Sequence, residues 1–154
     1  MISNATPLIC LVKINQINLL RKCFKKITIP EDVKEEVLVE GKEGYESIRK
    51  IIEDGWIVVE NPENNIDLKI GKEENAAINL AREKKDIVIL DDAFAIKIAK
   101  GLNINTIRTT TVIFMSLKRG IITKKEAVKY INELIENGYY IKPRIYVKIL
   151  EKLR

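Results

Sequence analysis

At 154 residues the chain has room for one compact domain with its own core, and 46% apolar against 32% charged side chains excludes a disordered chain. There is no histidine, which excludes Ser-His-Asp and Cys-His nucleophilic sites, histidine acid–base pairs and zinc sites that need an imidazole. The net charge of +5 is uneven: residues 1–117 hold 17 basic and 18 acidic side chains, net −1, whereas residues 118–154 hold 10 and 4, net +6. Such a basic end suits a polyanion, and it equally suits a solvated helical face.

In chain order, Met1–Ser3 reads as a short strand. Thr6-Pro7 then reads as a helix opening, Thr6 as cap and Pro7 at the first helical position. The apolar positions from Leu8 to Phe24 predict two short helices or one broken one. Cys10 and Cys23 sit in apolar contexts without CxxC spacing, as two reduced, buried thiols. Lys26–Ile29 is a β-branched strand stopped by Pro30, and Glu31–Val39 has helical composition with acids in its first turn. The longest early apolar run, Pro7–Val12, is far too short to span a membrane and has no basic region before it, so the expected location is the cytoplasm.

Tyr45–Ile52 predicts an amphipathic helix ended by Asp54-Gly55, followed by a strand at Trp56–Val59 and a turn-rich connection over residues 61–65. A helix follows over Lys72–Glu83. Ile87–Leu90 is an uninterrupted apolar run of the kind buried on both faces of a parallel sheet. A helix from Asp92 to Lys100, a strand near Ile104–Ile107 and helices at Thr111–Arg119, Lys124–Glu136 and Arg144–Leu153 complete the chain. Strands alternating with helices predict an α/β fold, a parallel sheet covered on both faces.

Ligands of such folds sit at the carboxyl ends of the strands. Asp91 and Asp92 follow the buried run there. One of them suffices to cap the next helix, which leaves Asp91 free for function. Glu36 shares a helix face with Val33, Val37 and Glu40 at i, i+3, i+4 and i+7 spacing, while Glu35 points away. Glu74 repeats the pattern against Ala77, Ile78 and Ala81, and Glu73 does so comparably, so the spacing does not choose between them. Carboxylates turned toward one sheet edge, with no imidazole or thiolate ligand, favour a hard ion such as Mg²⁺ or Mn²⁺. Each acid is also compatible with a solvated helix edge.

The segments Ile2–Ile9, Ile29-Pro30 with Val33 and Glu36, Gly71–Ala81 and Ile89–Asp92, in that order, resemble the successive motifs of prokaryotic PIN domains. The nearest likeness is to a branch related to the VapC toxins of toxin–antitoxin pairs. The resemblance spans residues 1–154 as a single domain and implies a three-layer α/β/α fold with a central, mostly parallel sheet. It implies a metal-dependent ribonuclease in which Glu36, Glu74 and Asp91 are catalytic and, with Asn4, hold Mg²⁺ or Mn²⁺. Asn4 stands where the family carries an acid; its amide oxygen ligates without adding charge. A catalytically weak RNA-binding protein is the alternative. The resemblance further implies support of the site by Thr6, and RNA, an antitoxin protein and a second copy of the chain as partners; Asp92, and Thr109 with Thr110 and Thr111 after the last strand, lie near the same sheet edge and can support the site too, and Thr6, Asp92 and one of the threonines equally suit a helix cap. Lys118, Arg119, Tyr139, Tyr140, Lys142 and Arg144 mix cations with aromatic rings suited to RNA, although the tyrosines equally suit folding back onto the core.

Overall fold

The structure, a computed structural model describing all 154 residues, is built on one five-stranded sheet. The chain runs β1 (Ile2–Ser3), α1 (Ala5–Lys13), α2 (Asn18–Phe24), β2 (Ile27–Ile29), α3 (Glu31–Val37), α4 (Tyr45–Asp54) and β3 (Ile57–Val59). It continues as α5 (Lys72–Lys84), β4 (Val88–Ile89), α6 (Ala93–Gly101), β5 (Thr106–Ile107), α7 (Thr109–Lys118), α8 (Lys124–Glu136) and α9 (Pro143–Lys152). The spatial order is β3-β2-β1-β4-β5 with every pair parallel, and register pairs such as Ile2 with Val88 and Thr28 with Val58 fix it.

Side chains of successive strand residues point to opposite faces, and the sheet therefore divides the core. Ile27, Ile29, Ile57 and Ile89 join the larger cluster with residues of α1–α4 and α7–α9, such as Leu8, Leu20, Val33, Val112 and Ile131. Ile2, Val88 and Leu90 face the smaller one, against Ala77, Ile78 and Ala81 of α5 and Ala95 and Ala99 of α6. This is the expected α/β/α sandwich. Small alanines on α5 and α6 let those helices lie close on the β4 side, and α4 stops where Gly55 takes φ +87°, a left-handed conformation that glycine adopts without penalty.

Both thiols are free; Cys23 is buried with its Sγ 3.3 Å from Ser116 Oγ. No helix is long and apolar enough to cross a membrane. Two helix starts differ from the sequence reading by two residues, and those of α6 and α9 by one. α1 opens two residues earlier than expected, with Asn4 at the cap position, and Thr6 lies exposed in its first turn. Pro7 is tolerated there because the first four N–H groups of a helix have no internal partner. α7 opens at Thr109, two residues early, since the first turn gains an external acceptor described below.

Candidate functional site

Parallel topology brings the sequence-predicted acids to one sheet edge. Asn4 follows β1 and its N–H donates to the Ile89 carbonyl at 3.1 Å, so it sits beside the end of β4, where Asp91 comes two residues after Ile89. α3, bearing Glu36, leaves the carboxyl end of β2. α5 must return the chain from β3 to the start of β4, so its N-terminus, with Glu73 and Glu74, lies at the carboxyl edge too. α3 and α5 pack together, and α1 packs on α3.

Asn4 is only 3% exposed, and its Oδ1 is buried without any hydrogen-bond partner. A buried acceptor left unmade costs about 1–3 kcal/mol, and it is the one orphaned carbonyl-type oxygen at this edge. The cap position does not explain it, because the side chain makes no bond to the first turn of α1.

Asp91 is half-buried and heavily bonded. Oδ1 accepts from the Thr109 N–H at 3.0 Å and from the Tyr139 hydroxyl, and Oδ2 accepts from Thr109 Oγ1 at 2.6 Å. Thr109 is wholly buried and is the first residue of α7. The carboxylate thus satisfies an orphan donor at the positive end of that helix, a stabilising arrangement. Three of about four acceptor positions on the carboxylate are used, leaving one free. Arg108 adds a bond from Nη1 to the Asp91 carbonyl at 2.9 Å. Asp92 is the helix cap, accepting from the Ala95 N–H at 2.8 Å, as expected of one of the pair, but Asp91 is not left free of structural duty: it is the acceptor for the first turn of α7.

At the other end of the edge, Glu36 is exposed while Glu73 and Glu74 are half-buried. Partial burial first, then the charges of Glu73 and Glu74 and a hydrogen-bonding contact with Glu73, push the Glu36 carboxyl above its usual range, with Lys42 opposing. The structure therefore sets both glutamates of α5 against Glu36, Glu73 more strongly. Glu74 folds back over its own N-cap: a Cβ built on Gly71 falls 2.5 Å from Glu74 Oε2. Glu35 is paired instead with Lys72, 3.8 Å away at the same end of α5. No three acidic or thiol side chains converge as a ready metal cluster; Asp91 with Asn4, and Glu36 with Glu73 and Glu74, form two groups.

The donors themselves fit a hard divalent cation: neutral and anionic oxygens, one of them orphaned and buried, with mutually repelling carboxylates nearby. A thiolate contributes nothing. Burial, and then the charge of Asp91, raise the Cys10 thiol to about 11 despite Lys13, so it stays protonated at neutral pH.

The expected RNA-contact residues separate. Tyr139 is 8% exposed and points inward to Asp91; burial, the Asp91 charge and their hydrogen bond all raise its phenol, with a bond from Thr110 and the charge of Arg108 opposing. Tyr140, Lys142 and Arg144 are exposed after it. Lys118 ends α7, nine residues or about 13 Å beyond Thr109, and Arg119 spends its guanidinium on the Cys23 carbonyl. Both lie at the far end of α7, which Arg119 ties to α2. Thr6, being exposed on α1, makes no recorded side-chain bond, whereas Thr109 holds Asp91 directly.

Sequence reasoning missed Asn75 and Asn79. Asn75 Oδ1 accepts from the Leu68 N–H at 2.7 Å, and the Nδ2 atoms of both donate to the Ile66 carbonyl and to Asn65 Oδ1 at 2.8–3.1 Å. This network docks the β3–α5 connection onto α5 and so places Gly71, Glu73 and Glu74. Two asparagines on an otherwise apolar helix face were the only signal. A surface groove of about 400 Å³ is lined by Arg21, Lys50, Asp54 and Trp56 among others and includes none of the residues above.

Compared with protein-family models, residues 1–154 match the family DUF3368, a PIN domain. Among curated proteins none matches the chain.

Proposed function

The chain belongs to the PIN-domain family, a nuclease-type fold, and on that premise we propose that it is an Mg²⁺- or Mn²⁺-dependent endoribonuclease, the toxin of a VapC-related toxin–antitoxin pair. The observation that carries the reading is the orphaned Oδ1 of Asn4 beside the β4 end, an acceptor for which a cation is the missing partner. In this reading Asn4, Asp91, Glu36 and one of Glu73 and Glu74 hold the ion. The bound ion would supply an ionised water at neutral pH and offset charge on a phosphoryl group. The chain's own residues set the rest. Thr109 and Tyr139 fix the orientation of Asp91, and the carboxyl group of Glu36 is held above its usual range by burial and by the charges of Glu73 and Glu74.

A second reading, an RNA-binding protein that cleaves weakly or not at all, is favoured by two observations. No three carboxylates converge, and Asp91 already serves as the acceptor for α7. Incubating the protein with an unstructured RNA separates the readings. Cleavage in Mn²⁺, its absence in chelator and its loss in Glu36→Gln are expected of the nuclease; RNA binding without cleavage in Mn²⁺ gives the second reading. The family resemblance also implies an antitoxin partner, a homodimer and a cytoplasmic location, which belong to the same proposal.

A further inference from the structure

Tyr139 and Tyr140 are successive residues of the irregular segment between α8 and α9, yet one is 8% and the other 76% exposed. The first is fastened through its hydroxyl to Asp91 Oδ1. Consecutive Cα atoms are 3.80 Å apart, so the anchor that reaches Asp91 also fixes the backbone from which the second ring projects. Tyr140 is the most exposed of the large apolar side chains. Its surroundings in sequence carry one sign of charge: residues 137–150 contain Lys142, Arg144 and Lys148 and no acid. All three cations are exposed, and none forms an ion pair. Unpaired cations two and four residues beyond a bare aromatic ring supply what one nucleotide needs, a charge for its phosphate and a plane for its base.

We propose that Tyr140 is a stacking platform for one unpaired base of an RNA whose backbone lies along Lys142 and Arg144, placed by the Tyr139 anchor next to the Asp91 end of the site. The inference rests on RNA being the substrate. It adds the residue that selects an accessible base.

The test is fluorescence anisotropy of a short labelled unstructured RNA in chelator, where no cleavage intervenes. It compares the wild type with Tyr140→Phe and Tyr140→Ala, on the single strand and on the same strand annealed to its complement. Stacking of one base predicts about tenfold weaker single-strand binding for Tyr140→Ala, near wild-type binding for Tyr140→Phe, and no difference between the three on the duplex. Lys142→Ala should instead flatten the salt dependence of binding, by about 0.7 in the log–log slope for one phosphate contact. Equal single-strand affinity of the wild type and Tyr140→Ala overturns the inference and leaves RNA binding intact, as does a loss in Tyr140→Phe equal to that in Tyr140→Ala. A wild type that binds neither RNA overturns the functional reading as well. At 76% exposure the ring contributes little to the fold, and unchanged melting of both variants verifies this.

Discussion

Replacing Asn4 with aspartate puts a negative charge where the structure has a buried amide oxygen and no donor. The residue is 3% exposed and Oδ1 has no partner, so in chelator the new carboxylate is desolvated and repelled by Asp91. It escapes by taking up a proton. An ordinary aspartate near 3.9 is about three units below pH 7, and at about 1.4 kcal/mol per unit the stability loss is capped at about 4 kcal/mol. The sign follows: a folded-state value raised above the unfolded one leaves stability intact below about pH 4, and the loss grows as pH rises toward the raised value. Mn²⁺ at a hundredfold excess over Kd returns about 2.7 kcal/mol, and a tenfold tighter site in the variant adds about 1.4 kcal/mol. Asn4→Ala, which deletes the orphan without breaking a hydrogen bond, should cost little in chelator and lose the Mn²⁺ response. The assay is urea unfolding across pH 4–8 with chelator or Mn²⁺. A deficit in Asn4→Asp that is independent of pH, or one that Mn²⁺ does not reverse, would place Asn4 outside the cation site.

Glu36→Gln removes a carboxyl raised by burial and by Glu73 and Glu74; in chelator it should raise neutral-pH stability by a few tenths of a kcal/mol, since the side chain is exposed. That gain should fade as pH falls toward about 4.3, where wild-type Glu36 is itself neutral, and a gain that persists there would point to another cause. Tyr139→Phe deletes one hydrogen bond to a half-buried carboxylate and should destabilise by about 1.5 kcal/mol in urea; no change would mean that Thr109 alone holds Asp91. Gly71→Ala should fold normally, because its backbone (φ −55°, ψ 147°) suits any residue, but its Cβ displaces the Glu74 carboxylate. Its Mn²⁺ affinity, read by calorimetry, changes if Glu74 is the ligand and stays fixed if Glu73 is.

Local chemistry made much of this legible. Ile87–Leu90 reads as a two-sided strand because both clusters of the core touch it, and one of the Asp91-Asp92 pair, Asp92, caps α6 as expected. What local pattern does not carry is pairing at long range. Asp91 binds Thr109 and Tyr139, 18 and 48 residues away, and the same contact both draws α7 forward to Thr109 and turns Tyr139 inward. Two adjacent tyrosines look alike in a sequence; only the position of an acid in space separates an anchor from an exposed ring. Glu73 and Glu74 stayed undivided for a similar reason. Helical spacing gives both a shared face, and their difference arises from Gly71, which leaves room for the Glu74 carboxylate to fold back. The sheet order, with β1 at its centre, likewise rests on contacts between remote segments.

The central claim is that Asn4, Asp91 and the Glu36 group act as one cation site although they stand as two groups of side chains. Calorimetric titration of Mn²⁺ into the wild type, Glu36→Gln and Glu35→Gln tests it most directly, because Glu35 shares the helix but is paired with Lys72. The expected result is one ion per chain, at least tenfold weaker binding in Glu36→Gln and wild-type binding in Glu35→Gln. Equal affinity in all three proteins, or equal losses in both variants, would contradict it.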